Sequence, residues 1–316
     1  MLNTSDQTDI CICDNVERRR EIRLRRSHLL ENPIEAAITY KIAIGREQHE
    51  RSFALVWDAY VKVGLQKQDD SGIRFTKYHL LPTTKVFVAV YRPELISPDP
   101  NFDSMTEPGE IIGTLTLVMD SPMGLPLDEV CGQEIHKLRD RGRKLAEVIA
   151  LAINPKYRKC NLMMRLFKLM YGYAIFKGVT DICASVTDRH IQFYKDILLF
   201  TPLGEKQSYS SANWLPVQCH YLDILEAPER YKQVYSHQDF DCDLLAFFLK
   251  DPRTPSRPQG EGYPWSEEMI AYFRANKPEI FACLTDKDIG ILKGEYAGYN
   301  LCFPEVREPS QPNVCI

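Results

Sequence analysis

Leu145-Ala-Glu-Val-Ile-Ala-Leu-Ala-Ile153, followed at once by Asn154-Pro155, is the stretch on which the fold turns. Nine residues with a single charge, closed by a turn-forming pair, predict a strand covered on both faces. Alternation along that strand puts Glu147 on the same face as Leu145, Ile149 and Leu151. A carboxylate among such neighbours loses hydration and needs a partner or a task. Glu147 is therefore the first candidate for chemistry.

Downstream, Lys156-Tyr157-Arg158-Lys159 is a basic turn. Leu162, Met163, Leu166, Phe167, Met170, Tyr171, Ala174 and Ile175 then recur at helical spacing, and Gly178 stands where a helix stops. The N-terminus of that helix faces the turn, so its amides and the cations Lys156, Arg158 and Lys159 together make an anion site. Thr180 to Asp188 reads as a second strand. Arg189 to Leu199 reads as a short helix carrying His190, Phe193 and Tyr194. The result is a βαβ unit with its anion site at the C-terminal end of the first strand.

On the N-terminal side, Ala37 to Ile44 reads as a strand and Gln48 to Val63 as an amphipathic helix, with Trp57 and Tyr60 as core aromatics. Gly64 to Thr84 is polar and irregular, a loop long enough to cover a pocket. Lys85 to Tyr91 and Ile111 to Met119 form an antiparallel pair joined by a proline-containing surface loop. Asp128 to Arg141 is a helix stopped by Gly142. The fold class is therefore α/β, a mixed central sheet flanked by helices. Beyond Gly204, Tyr209 to Ala212 and Trp214 to Leu222 read as closing strands. Asp241 to Lys250 and Ser266 to Ala275 read as helices around a Pro/Gly linker. Three units are expected: a basic arm at 1–32, an α/β domain at 33–225 and a helical C-terminal extension at 226–316.

The 316 residues are 44% hydrophobic and 26% charged, with a formal net charge of −4, so nucleic acid is not the expected partner. No apolar segment approaches the ~20 residues of an integral membrane span. No secretory signal is apparent, and a cytoplasmic protein is expected. Ten scattered cysteines without a CxxC pair predict free thiols and no metal site. The run Arg18 to Arg26 reads as a solvated arm, or as a docking arm for an acidic protein.

GTLTLVMDSPMGLPLDEV (113–130), LRDRGRKLAEVIALAINPKYR (138–158) and RHIQFYKDILLFTPLGE (189–205) resemble the long-chain N-acyl amino acid synthases. These are GNAT-fold acyltransferases related to the acyl-homoserine lactone synthases, and the resemblance runs from about Tyr40 to Ile224. It implies a GNAT fold and transfer of a fatty acyl group from a thioester to an amino acid's amine. It also implies that Glu147 matches the strand glutamate of the lactone synthases, as general base. Tyr194 then lies where many GNAT enzymes protonate the leaving thiolate. The alternative for Glu147 is a structural pairing with Arg139, Arg141 or Arg143; that for Tyr194 is a core ring beside Phe193. Arg139, Arg143 and His190 are supporting candidates.

The donor is expected along Val148, Ala150 and Leu151 and at Arg158, Lys159, Asn161 and Leu162, with backbone N–H groups near Val148 to Ala150 meeting the oxyanion. GNAT enzymes that use coenzyme A usually carry glycines in this turn, and Arg158-Lys159-Cys160-Asn161 has none. That departure favours acyl-phosphopantetheine on acyl carrier protein over acyl-CoA, with no tightly bound cofactor. An apolar tunnel lined from Leu145, Ile149, Phe167 and the N-terminal helix would take the chain. The rivals are a homoserine lactone synthase-like enzyme, weakened because Ala150 stands where those synthases carry arginine, a non-catalytic GNAT-like module binding an acyl chain or amino acid, and a short-chain acetyl-CoA enzyme.

Overall fold

The computed structural model describes residues 17–22, 24, 32–93, 109–236, 243–249, 265–299 and 303. Its centre is a seven-stranded mixed sheet in the order β1-β2-β3-β4-β5-β7-β6. The strands are β1 (Ile38–Ile42), β2 (Lys85–Tyr91), β3 (Glu110–Met119), β4 (Leu145–Ile153), β5 (Asp181–Thr187), β6 (Thr201–Ser208) and β7 (Pro216–Asp223). Only β4 and β5 run parallel, as a βαβ crossover requires, and the remaining pairs are antiparallel. The helix of that crossover, α3 (Leu162–Phe176), ends at Gly178, whose φ of +72° suits glycine. The expected β2–β3 hairpin pairing and βαβ unit are observed.

Two helices cover one face, α1 (Gly45–Lys62) and α2 (Asp128–Asp140), while α3 covers the other. After β5 come α4 (Asp188–Gln192) and a π-helical turn, Phe193–Ile197, in place of one continuous helix. The C-terminal part forms α5 (Ala227–Tyr235), α6 (Leu244–Leu249), α7 (Glu267–Asn276), α8 (Pro278–Ala282) and α9 (Asp286–Glu295). These helices close both faces. Tyr231, Tyr235, Phe247 and Phe248 join the α3 side, and Phe247 lies over Arg165 and Lys168 at 4.7 and 5.1 Å. Trp265, Phe273 and Phe281 pack with Phe53 of α1 and with Phe75 and His79.

The structure corrects four expectations. Thr201–Ser208 is a strand, and residues 210–212 form a 3-10 turn where a strand was expected. β6 is an edge strand with little buried surface, so it needs no apolar alternation to pair. The chain after Ala275 forms two further helices, where the sequence reading assigned helices only as far as Ala275. Part of the N-terminal segment is packed rather than solvated. Leu24 is 1% exposed in the main core, and the Arg20 Nε donates to the Asp196 carbonyl at 2.7 Å. Cys283 is disulfide-bonded, against the expectation of ten free thiols, while Cys131, Cys160, Cys183 and Cys219 are free. The linker at 251–264 and most of the 94–108 loop and of the 1–32 arm lie outside the described residues.

Candidate active site

β4 and β5 pair only from Leu145↔Asp181 to Glu147↔Cys183. Beyond that point β4 continues beside β3 and β5 beside β7, so the sheet opens between them. The opening coincides with an extra residue in β4. Thr114 opposes Ala152 and Thr116 opposes Ile149, a bulge in which Ala150 takes a φ of +53°. That bulge reverses the expected alternation. Ala150 and Ala152 pack under Val56 of α1, whereas Leu151 and Ile153 pack on the α3 side, so Leu151 does not share a face with Glu147. Leu145 and Phe167, both expected to line one tunnel, belong to cores on opposite faces.

Glu147 stands at the last paired position and is fully buried. Its Oε2 accepts the Leu127 amide at 2.8 Å, and Ser185 Oγ approaches Oε1 at 3.4 Å. No cation is bonded to it among the described residues. Burial, only partly offset by these two donors, pushes its carboxyl well above the usual carboxylate range. The arginines weighed as its partners are engaged elsewhere. Arg139 bridges Asp120 and Asp128, and Asp128 Oδ2 in turn accepts the Leu125 amide at 2.8 Å, fixing the turn that presents the Leu127 amide. Arg143 clamps Asp181 and Asp223 at the closed end of the sheet.

Around the opening stand four phenols. Tyr60 of α1 packs against Ala150 and Ala152, and burial above all raises its phenol, with Arg74 opposing that and Glu147 adding to it. The Arg74 guanidinium lies 4.7 Å from the Tyr60 ring centroid. Glu147 also acts on Tyr78 and Tyr209. Tyr194 is buried between Phe167 and Phe200, with ring centroids at 6.0 and 5.2 Å. Burial first, and the nearby Tyr60 second, hold its phenol above the usual range, which keeps it protonated. The structure thus brings Glu147 and Ala150 to one opening, with Tyr194 near the Tyr60 that packs on Ala150. Sequence reasoning missed Ser185, Tyr78 and Tyr209 as neighbours of Glu147, and Arg74 as a neighbour of Tyr60, and took Tyr60 for core.

The basic turn is a 3-10 turn, Pro155–Cys160, begun by Asn154, whose side chain accepts the Lys156 amide. Tyr157 and Asn154 both donate to Glu110, at 2.7 and 3.2 Å, fixing the turn to β3. Arg158 and Lys159 are exposed, Leu162 is buried, and Asn161 adopts a left-handed φ of +49° just before α3. Asparagine is among the few residues other than glycine that take this conformation readily. His190 is exposed, its Nδ1 3.4 Å from Thr187 Oγ1. No group of three or more His, Cys, Asp or Glu side chains among the described residues is placed to hold a metal ion. No helix among them is long and apolar enough to cross a membrane.

The family model described as N-acyl amino acid synthase FeeM matches residues 51–223, more than half of the chain. Among solved structures, the fold is similar to that of FeeM, an N-acyl amino acid synthase from uncultured soil microbes. Identity is 20%, with 61% of this chain and 93% of that chain covered and a TM-score of 0.50. The AHL synthase LasI matches at 8% identity, covering 59% and 89% of the two chains with a TM-score of 0.42. BjaI, a CoA-dependent acyl-homoserine lactone synthase with SAM and isopentyl-CoA, matches at 13%, covering 75% and 100% with a TM-score of 0.41. No curated protein matches the sequence.

Proposed function

The chain belongs to the N-acyl amino acid synthase FeeM family and is an acyltransferase of the GNAT fold, and from that premise we propose that it joins a long-chain fatty acyl group, carried as a thioester on acyl carrier protein, to the amine of an amino acid in the cytoplasm. Residues 33–225 serve as the acyltransferase domain, 226–316 as a helical extension and 1–32 as an arm. One observation carries this reading. A buried carboxyl, with no cation bonded to it among the described residues, and a bulged strand meet where the sheet opens, with the Tyr60 phenol packed on the bulge and Tyr194 near it.

In this reading the amine gives up a proton to Glu147 through a water or the Ser185 hydroxyl, and its nitrogen attacks the thioester carbonyl carbon. The raised carboxyl pKa brings the base nearer to working pH. The carbonyl oxygen accepts from the Ala150 amide as negative charge develops on it. The C–S bond breaks as the amide forms, and Tyr194 protonates the departing thiolate. Solvent then carries the proton from Glu147 back to Tyr194. The edge of Val148, Ala150 and Leu151, unpaired toward β5, receives the phosphopantetheine arm. Arg158 and Lys159, with the α3 N-terminus behind Asn161 and Leu162, receive its phosphate.

The test is incubation of the purified protein with a long-chain acyl–acyl carrier protein and a panel of amino acids, read by mass spectrometry. The expected result is an N-acyl amino acid with stoichiometric release of thiol. No N-acyl product from any amino acid, with either carrier protein or coenzyme A as donor, would defeat the proposal.

A further inference from the structure

Arg74 is a half-buried cation that bonds no acid among the described residues. It lies in the segment joining α1 to the 3-10 turn Lys77–Leu80, and its own amide bonds the Phe53 carbonyl at 3.0 Å. Its flanking residues Ile73 and Phe75 are buried in the aromatic core shared with the C-terminal helices, so the backbone is anchored on both sides. The guanidinium is also anchored. Nη1 donates to Gln66 Oε1 at 2.9 Å, Nη2 donates to the Ser211 carbonyl at 2.8 Å, and its plane meets the Tyr60 ring. Gln66 is itself held, since its Nε2 donates to Asp69 Oδ2 at 3.3 Å and Asp69 accepts from the buried Lys277 at 3.1 Å. A chain of contacts from the C-terminal helices therefore fixes the orientation of Arg74.

Two of its five N–H groups are used, both by neutral acceptors, and no carboxylate among the described residues bonds it. Arg139, Arg143 and Arg165 each meet one. A fixed planar fork lacking a counter-charge is suited to an anionic ligand, and to a carboxylate in particular. Its location narrows the choice. Tyr60 is contacted by Arg74 on its ring and packs against Ala150 and Ala152 of β4, which puts the fork beside the opening in the sheet.

Resting on the acyltransfer reading above, we propose that Arg74 binds the α-carboxylate of the acceptor amino acid. An α-amino acid carries its amine on the carbon next to its carboxylate. Seizing the carboxylate at Arg74 delivers the amine toward Ala150 and Glu147, and it makes the carboxylate a condition of good turnover.

The experiment compares kcat/KM for the amino acid that wild type acylates fastest with that for its decarboxylated amine, using one acyl–acyl carrier protein. Arg74→Gln should lower kcat/KM for the amino acid about 10- to 100-fold, the range for hydrogen bonds to charged groups, chiefly through KM. It should change the amine little, so the preference for the carboxylate collapses. Arg74→Lys, which keeps the cation and loses the fork, should retain part of the preference. It also reports on the assignment if the Gln variant fails to fold. Gln66→Ala removes a support and keeps the cation, so it should retain most of the preference. Equal changes for both substrates in a folded Arg74 variant, or a wild type indifferent to the carboxylate, would overturn the assignment. A wild type that acylates neither substrate would instead defeat the acyltransfer reading itself.

Discussion

Two carboxylates, Asp181 and Glu147, are both fully buried and lie within the same three-residue ladder between β4 and β5. Their surroundings differ in kind. Asp181 receives the Arg143 guanidinium at 2.5 and 2.8 Å and the Thr180 hydroxyl at 2.7 Å, a set that accounts for its charge. Glu147, at the other end of the ladder, has one amide, one long hydroxyl contact and no cation among the described residues. Burial alone would not tell them apart. The balance of donors does, because burial that few donors offset raises the proton affinity of Glu147. The paired group closes the sheet, and the unpaired group stands where it opens.

The comparison breaks if Glu147 is dispensable. Glu147→Gln should fold and lose on the order of 10²–10⁴-fold in turnover, the range for a positioned acid or base. Normal turnover by the folded variant would make Glu147 a structural group. Its raised pKa also has a consequence for stability. A carboxyl that prefers its proton in the fold is most stabilising below its ordinary value of 4.5, and that stability is lost as pH rises toward the folded value. Denaturant melts should therefore show Glu147→Gln gaining on wild type as pH climbs from 4 to 8. A flat difference would place the group among the fully compensated ones.

Arg143→Gln sharpens the comparison from the other side. It strands Asp181 and should cost about 3 kcal/mol of stability, at the low end for a broken buried pair because Arg143 is 22% exposed. Activity per folded molecule should change far less than in the Glu147 variant, and a catalytic loss of similar size would erase the distinction. The smallest effect belongs to cations in water. Arg158→Ala with Lys159→Ala should raise the donor KM about 3- to 30-fold, from ~0.3–1 kcal/mol per exposed charge. Acyl carrier protein thioesters should also outperform the matching coenzyme A thioesters, with an advantage that shrinks as salt rises. Equal rates at low salt with the same acyl chain would remove the case for a carrier-protein donor.

What the sequence made legible follows from local chemistry. The β4 run, the α3 stripe and the stop at Gly178 each carry their signature within a few residues. Glu147 stood out because its neighbours in the chain are apolar. Leu151 was assigned to the wrong face because the bulge at Ala150 has no compositional mark, alanine being an ordinary strand filler. β6 escaped notice because an edge strand written TPLGEKQS alternates nothing. Tyr78 and Tyr209 were illegible as neighbours of Glu147 for another reason. They converge on it from distant segments, and no local pattern announces such a meeting.

The closure of both sheet faces by residues after Ala227 bears on how the chain comes off the ribosome. Synthesis delivers Phe53, Phe75, Val86 and Val88 long before Trp265, Phe273, Phe281 and Leu292, the residues that complete their core. Leu166, Met170 and Tyr171 wait likewise for Tyr231, Tyr235, Phe247 and Phe248. Until then the nascent sheet presents greasy surface on both sides, a state prone to aggregation and to capture by chaperones. Contacts so distant in sequence are slow to form, since the intervening chain must be ordered before they contribute. A polypeptide halted after Ser236 would hold every residue assigned to the chemistry and still expose the surfaces that the later helices cover.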